Sequence, residues 1–319
     1  MNRILNVKSI SLQQIDFDDF SYSITPERNV YPDETLSKSI ATHGILHPPV
    51  VHESSSGRYK IVAGRKRLLA FRTFHPESAC ASMIIPHRVP EVEVFYILLT
   101  EIQLARQLTM AEKAILLQKI TTFTDEKQIV SEFLPSLGLV PNSFSIKQAL
   151  RLLDLEEPIL LGIHKGQIHE TVAYDFVPLP SEDRMTLFEI ITSLRLSSSN
   201  QKKLLNICRE LAGRADTNIT ALLDNEEVEG ILQHPDANPP QKSKNLMLWL
   251  SRKHMPRARL AAEEFSRYVA ALKLPENVSV AHTPFFEDDS VILSITFSNR
   301  KSLQHAWKKI SHETGNSDN

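Results

Sequence analysis

The sequence predicts an α+β protein in three parts: a mixed strand-and-helix N-terminal domain, an all-helical middle and a small strand–strand–helix C-terminal unit. Three observations predict it. β-like runs alternate with amphipathic helices as far as about residue 107. From Thr109 onward only helical periodicity is found. Beyond the proline-bearing stretch QHPDANPPQKSKN, alternation at period two returns in SVILSITF. The expected boundaries are 1–107, 108–232, a linker at 233–245 chosen for its prolines and lack of periodicity, and 246–312.

Each element has a local reason. Asp33 caps a short helix to His43, with Leu36 and Ile40 on one face and Gly44 closing it. PVVHE and RYKIVAG, joined by SSSG, read as a hairpin, and Gly64 ends its second strand. RKRLLAFRTF follows as a helix, then a strand around Met83 to Ile85. Glu91 to Arg106 reads as a long helix with Val94, Leu98 and Ile102 on one stripe. Thr109 and Glu112 have capping-box spacing before a helix to Ile120. Helices are also expected at 127–134, 144–153, 158–165, within 181–223 and at 261–272. VSVAHT and SVILSITF then form strands, and a last helix from Lys301 carries Leu303, Trp307 and Ile310 on one stripe.

Composition excludes several classes. A hydrophobic share of 42% and a charged share of 23% are those of folded globular protein, not of a disordered chain. Cys80 and Cys208 are the only cysteines and have no CxxC partner, so no zinc site or disulfide framework is expected. The stretch MNRILNVKSISLQQIDFDD lacks the apolar core of a secretory leader, and no run approaches the roughly 20 apolar residues of a membrane helix. A cytoplasmic protein is expected. The net charge of −2 places any nucleic-acid contact in local clusters of Lys and Arg.

Two stretches could carry chemistry. In IVAGRKRLLAF a strand meets Gly64, and a helix then opens with Arg65, Lys66 and Arg67. Unpaired N–H groups at a helix start favour an anion, and three cations there oppose the helix dipole unless one is bound. This is either a phosphate site or a solvated, mildly unfavourable helix start. In QIVSEFLPSLGLVPNSFSIKQALRLLDL two helices flank a glycine-bearing turn. As a helix-turn-helix, the second helix anchors through Phe144, Leu150 and Leu153 and turns Ser143, Ser145, Lys147, Gln148 and Arg151 to a major groove. As an ordinary helical pair, the same face is merely solvated. SRKHMPRAR adds Arg252, Lys253, Arg257 and Arg259, which suit phosphate contacts or a solvated helix end equally. His254 lacks a second ligand at metal spacing, and no metal-binding residues are expected from spacing.

In order and spacing, LSKSIATHGILHPPVV, GRYKIVAGRKRLLA and EIQLARQLTMAEKA resemble the N-terminal domain of ParB partition proteins, a fold shared with sulfiredoxin. The resemblance implies a ParB/sulfiredoxin-like domain that binds CTP with Mg2+ and closes as a clamp on DNA. Gly44, His47 and Pro48 would border the base and ribose, Gly64, Arg65, Lys66 and Arg67 would face the phosphates, and Glu101 would lie near the metal. The sequence departs from the family at Arg65, where Glu is expected, and at His47, where Gln is usual. Ile102 stands for an Asn and Ala105 for an Arg, with Arg106 one step on. Since an isoleucine cannot ligate a hard cation, at most weak CTP hydrolysis is expected, with no catalytic residue assigned. Cys80 does not follow the phosphate turn, so no thiol chemistry is expected.

The helical middle and C-terminal unit are similar to the family's DNA-binding and dimerisation domains. Double-stranded DNA and a second copy of the chain are the implied partners. MNRILNVKSI enters a strand almost at once, without the basic tail that in this family engages a partner ATPase, so such coupling is not expected. Two other functions stay open. One is a transcriptional regulator without the nucleotide switch. The other is a nucleotide-dependent phosphotransferase or nuclease using Glu101 or His47 as a base.

Overall fold

The computed structural model describes residues 6–27, 30–254, 256–282, 290–304 and 306–307. Strands β1 (Asn6–Ser11), β2 (Ile15–Asp16), β3 (Val50–Glu53), β4 (Tyr59–Ala63) and β5 (Ala79–Ile85) form one mixed sheet in the order β1-β5-β3-β4-β2. β1 with β5 and β3 with β4 are antiparallel, while β3 with β5 and β2 with β4 are parallel. The central strands are apolar on both faces because both are covered. Val51 and Ile61 face one core with Leu68, and Val50 and Val62 face another with Phe95 and Leu98. Helices α2 (Arg65–Phe74) and α3 (Glu91–Gln103) supply those covers, and α1 (Glu34–His43) packs on α2. Asp33 Oδ1 accepts from Leu36 N at 2.8 Å, and Gly44 closes α1 at φ +71°, as the sequence implies. Helix α3 ends at Gln103 rather than Arg106, because the next residues turn to bring Arg106 onto Glu112.

Helix α4 (Met110–Ile120) begins with the expected capping box, in which Thr109 and Glu112 satisfy each other's N–H groups. α5 (Glu126–Gln128), a π-helical turn at Ile129–Phe133 and α6 (Leu134–Ser136) form one continuous run. The chain reverses at Gly138 (φ +66°), and Asn142 caps α7 (Ser143–Arg151). Next come α8 (Glu157–His164), α9 (Glu170–Phe176), α10 (Ser181–Ser193), α11 (Ser198–Ala215), α12 (Ile219–Leu223), α13 (Glu226–Leu232) and α14 (Pro239–His254). α15 (Pro256–Ala271) then leads to an antiparallel pair, β6 (Val278–His282) and β7 (Val291–Ile295). Of the stripe expected on the last helix, Leu303 and Trp307 are exposed, and Ile310 lies outside the described residues.

Two expectations are corrected by packing. The stretch 233–245 is helical from Pro239, and Leu246 and Leu250 are wholly buried in the helical core that includes Leu204 and Leu211. Its prolines open a helix instead of marking a linker, as proline does at a first helical turn. Asn238 and Gln241 exchange backbone and side-chain hydrogen bonds at 3.0 and 2.9 Å, a reciprocal cap hidden in NPPQ. The second correction concerns residue 107, which is not a boundary between cores. Val62, Phe95 and Leu98 share one apolar cluster with Leu117, Ile120, Phe133 and Ile146.

Because α14 completes the bundle, a chain ended after His254 is expected to keep the melting temperature of its helices. A chain ended after Gln241 is expected to lose several degrees or fail to fold. Leu250→Ala is expected to cost about 3 kcal/mol, as for other cavity-forming leucines. Urea melts of the three proteins check this.

Candidate functional site

Strand β4, pinned by Ile61 on one face and Val62 on the other, delivers the chain to Gly64. Gly64 sits at φ +90°, and a Cβ there would lie 2.9 Å from Arg67 Nη2 and 3.0 Å from Pro49 Cβ. Only glycine takes this position without strain or collision. No side chain caps α2, and its first turn has no acid. Leu68 N is the first to find the helix ladder, on Gly64 O at 3.0 Å, so the helix start presents N–H groups with no intrahelical partner. A cavity of about 260 Å³ opens here, lined by Ala63, Gly64, Lys66, Ile102, Arg106 and Glu112 among others. It is a little smaller than the roughly 300–1,000 Å³ of a typical ligand pocket.

The three cations part ways. Arg65 is half-buried; its guanidinium donates to Phe17 O at 2.6 Å and to Asp19 O, and lies 4.3 Å from the centre of the Phe20 ring. Burial pushes its pKa down against the pull of Asp19, Asp18 and Asp16. Arg65 therefore borders the cavity while its guanidinium braces the loop beside β2, a role the sequence reading did not anticipate. The reason is the acids and carbonyls already waiting there. Arg67 donates to His47 O and to Pro48 O at 3.4 Å, and its Nη2 is 3.5 Å from Glu101 Oε1. It thus gathers His47, Pro48 and Glu101 into one cluster. Lys66 is exposed at the cavity, and Gly44 sits at the end of α1.

The residues fit a phosphate better than a metal ion. Glu101 is already paired with Arg67, Ile102 offers no donor, and no group of three or more His, Cys, Asp or Glu side chains arranged for a metal occurs among the described residues.

Two further arrangements border the cavity. The Glu112 carboxylate, 1% exposed, receives both Arg106 Nη atoms at 2.5 and 2.7 Å and Thr109 N at 2.9 Å, with His164 Nδ1 at 3.9 Å. Burial pushes its carboxyl up, but Arg106, Thr109 and His164 together hold it below the usual range. The Tyr22 hydroxyl donates to Glu91 Oε2 at 2.5 Å, so His52 Nδ1, 2.6 Å away, must donate to the hydroxyl oxygen. His52 is buried, and burial lowers its pKa, which keeps it neutral with Nε2 unpaired. The capping-box spacing and Arg106 hint at the first arrangement in the sequence. Nothing local in the sequence joins Tyr22, His52 and Glu91.

The second helix of the predicted helix-turn-helix exists, with a revised face. Ile146 and Ala149 are buried, joined by Leu152, whereas Phe144 is 69% exposed and anchors nothing. Leu150 and Leu153 are partly buried. Ser145 is drawn into the cap, its N and hydroxyl on Asn142 Oδ1 at 2.8 and 3.1 Å, and Gln148 is half-buried. Ser143, Phe144, Lys147 and Arg151 remain exposed. In the basic run, Arg252 is exposed, Lys253 lies over Trp249 at 5.5 Å, and His254 Nε2 meets Glu210 Oε2 at 2.7 Å. The side chains of Arg257 and Arg259 lie outside the described residues.

A mixed sheet that delivers a glycine turn to a helix start is the arrangement expected of a ParB-like N-terminal domain. Residues 2–85 match the family model of the ParB N-terminal domain. The chain is 29% identical over 168 residues to the nucleoid occlusion protein of Bacillus thuringiensis (strain Al Hakam), covering 50% of this chain and 56% of that one. It is 26% identical over 198 residues to the nucleoid occlusion protein of Bacillus mycoides (strain KBAB4), covering 59% and 66%. The match therefore spans somewhat over half the length of these relatives.

Among solved structures, the C-terminally truncated chromosome-partitioning protein ParB from Caulobacter crescentus matches in two states. Complexed with CTP-gamma-S it aligns at 19% identity over 58% of this chain and 98% of that one, with a TM-score of 0.25. Complexed to the centromeric parS site it aligns at 18% identity over 62% and 98%, with a TM-score of 0.34. Superpositions this loose do not carry residues across.

Glu112 gives a pH signature. Its depressed pKa contributes stability that is fully present above the unfolded glutamate range, about 4.3, and lost as pH falls through the lower folded value. Glu112→Gln is expected to lower stability by about 2 kcal/mol at pH 7, mixing lost pairing with a weakened cap. The gap between the two proteins is expected to shrink below about pH 4, as followed by thermal melts across pH.

Proposed function

We propose that this chain is a DNA-binding protein of the partition and nucleoid-occlusion kind, acting on the nucleoid as a homodimer and holding a nucleotide at the Gly64 turn. One observation carries it. Helix α7 exposes Lys147 and Arg151 one turn apart, while its other side is buried in a core shared with the ParB-type domain. A second helix presented beyond a turn, with cations outward, suits the major groove and its flanking phosphates. The helices through α14 form the DNA-binding part, and dimerisation falls to the unit after His254, whose β7 exposes Val291, Ile292 and Leu293. A unit so small gains from sharing its apolar surface with a second copy.

CTP is the nucleotide the family resemblance implies. Its phosphates would take the N–H groups that open α2, with exposed Lys66 as a counter-charge. A bound nucleotide supplies negative charge at that helix start, and Arg67 fixes the His47–Pro48 edge beside it. No step is assigned to magnesium, since Glu101 is spent on Arg67. The Arg65 guanidinium, spent on the carbonyls of Phe17 and Asp19, and the apolar Ile102 favour a second reading, a DNA-binding regulator without the nucleotide switch. A nuclease or phosphotransferase using Glu101, one of the two candidate bases, is disfavoured because that carboxylate is an ion-pair partner of Arg67.

Lys147→Ala with Arg151→Ala is expected to weaken specific DNA binding by about 1–3 kcal/mol for each base-reading side chain removed. Unchanged gel shifts with circular dichroism intact would remove α7 from DNA reading.

The nucleotide part is tested by melting. CTP at about a hundred times its dissociation constant is expected to add roughly 2.7 kcal/mol. Lys66→Ala is expected to reduce that shift at unchanged basal stability, and Gly64→Ala to abolish it. No shift with any nucleotide at millimolar concentration favours the regulator reading.

A further inference from the structure

We propose that Phe144 is a specificity residue that reads the 5-methyl group of a thymine in the major groove, an inference that rests on the DNA-binding reading above. The observation is an aromatic side chain where folding alone would not keep one. Phe144 is 69% exposed on a helix of nine residues whose buried side is made by Ile146 and Ala149. Val140, in the turn that feeds this helix, is 66% exposed. Phe144 lies in the first turn of α7, followed on the same stripe by Lys147 and Arg151.

That order of chemistry selects an occupant. The first residues of a recognition helix approach base edges, and Phe144 is the second residue of α7. Among the base edges of the major groove only thymine presents a methyl group, and an apolar side chain can reward nothing else there. Lys147 and Arg151, one and two turns further on, match the phosphates and guanine edges of a polyanion. A protein partner would find a narrow apolar tip backed by two cations, a poor core for a stable interface. The specificity then comes from hydrophobic contact, and the polar side chains Ser145 and Gln148 leave the task, one to the cap and one half-buried.

The experiment uses the full chain. Duplexes are selected from a random pool, and each thymine of the selected site is replaced in turn by deoxyuridine, which lacks only the methyl. At one or two thymines per half-site the replacement is expected to weaken binding about fourfold, the value of one buried methyl. In Phe144→Ala the same replacement is expected to have no effect, while the salt dependence set by the cations stays as in the parent. Because the ring is exposed, this variant keeps its fold, checked by its melting temperature. Phe144→Gln is a second variant, expected to shift the selected base from thymine toward adenine. A site insensitive to deoxyuridine, or equally sensitive in parent and Phe144→Ala, overturns this inference and leaves the DNA-binding reading standing. Failure to select any duplex overturns that reading itself, and this one with it.

Discussion

A single buried carboxylate holds the two halves of the described helical structure in register. Glu112 sits at the third position of α4, where its side chain closes the capping box on Thr109 and accepts two hydrogen bonds from Arg106. A buried charge left unpaired would cost several kcal/mol, so the arrangement tolerates little deviation in where α3 ends and α4 begins. From that fixed start, α4 sends Met110, Ala111 and Ala114 into the core of the later helices, and Leu116, Leu117 and Ile120 into the core beneath the sheet. Both hydrophobic interiors are built against one helix whose entry is set by electrostatics. Arg106 also lines an opening of about 450 Å³ with Gln103, Lys113 and Ser136, and so belongs to the surroundings of the Gly64 turn and of the helix-turn-helix at once.

The helical run over 126–136 is tied back to the N-terminal domain by side chains. Tyr96 of α3 stacks on Phe133 with ring centres 4.1 Å apart, its hydroxyl reaches Glu132, and Gln103 Nε2 donates to Ser136 O at 2.5 Å. Between these points the helix widens into a π turn at Ile129–Phe133. Ile129, Phe133 and Leu134 are all buried; the first two share a face at ordinary helical spacing, and the wider turn brings Leu134 inward beside them. α7 then rests on this brace through Ile146 and Ala149.

What is legible in the sequence is what depends on near neighbours. Caps at Asp33 and Thr109, the glycine reversals at Gly44 and Gly64, and the hairpin strand β4 are encoded within a few residues, and each appears where its pattern places it. Local pattern misleads where distant residues decide. Arg65 belongs to a loop almost fifty positions earlier, and only the fold brings Phe17 and Asp19 to it. NPPQ has the composition of a linker but the hydrogen bonds of a cap, and α14 is helical because α11 offers an apolar wall. Hydropathy alone places Phe144 in the core. Helical phase gives the core to Ile146 and Ala149, and one residue cannot be on both sides.

The cluster that runs from Val62 through Phe95 to Phe133 and Ile146 has a consequence for how this protein can be taken apart. Domains that recombine in evolution, or that proteases separate, are joined where the packing between them is sparse. Around residue 107 the motifs change but the interior does not, so sheet and α7 are expected to open and close together as one cooperative unit. An exchange of α7 between relatives would have to carry the matching face of α3 with it. The portable piece of this chain is larger than either of the motifs by which it is recognised.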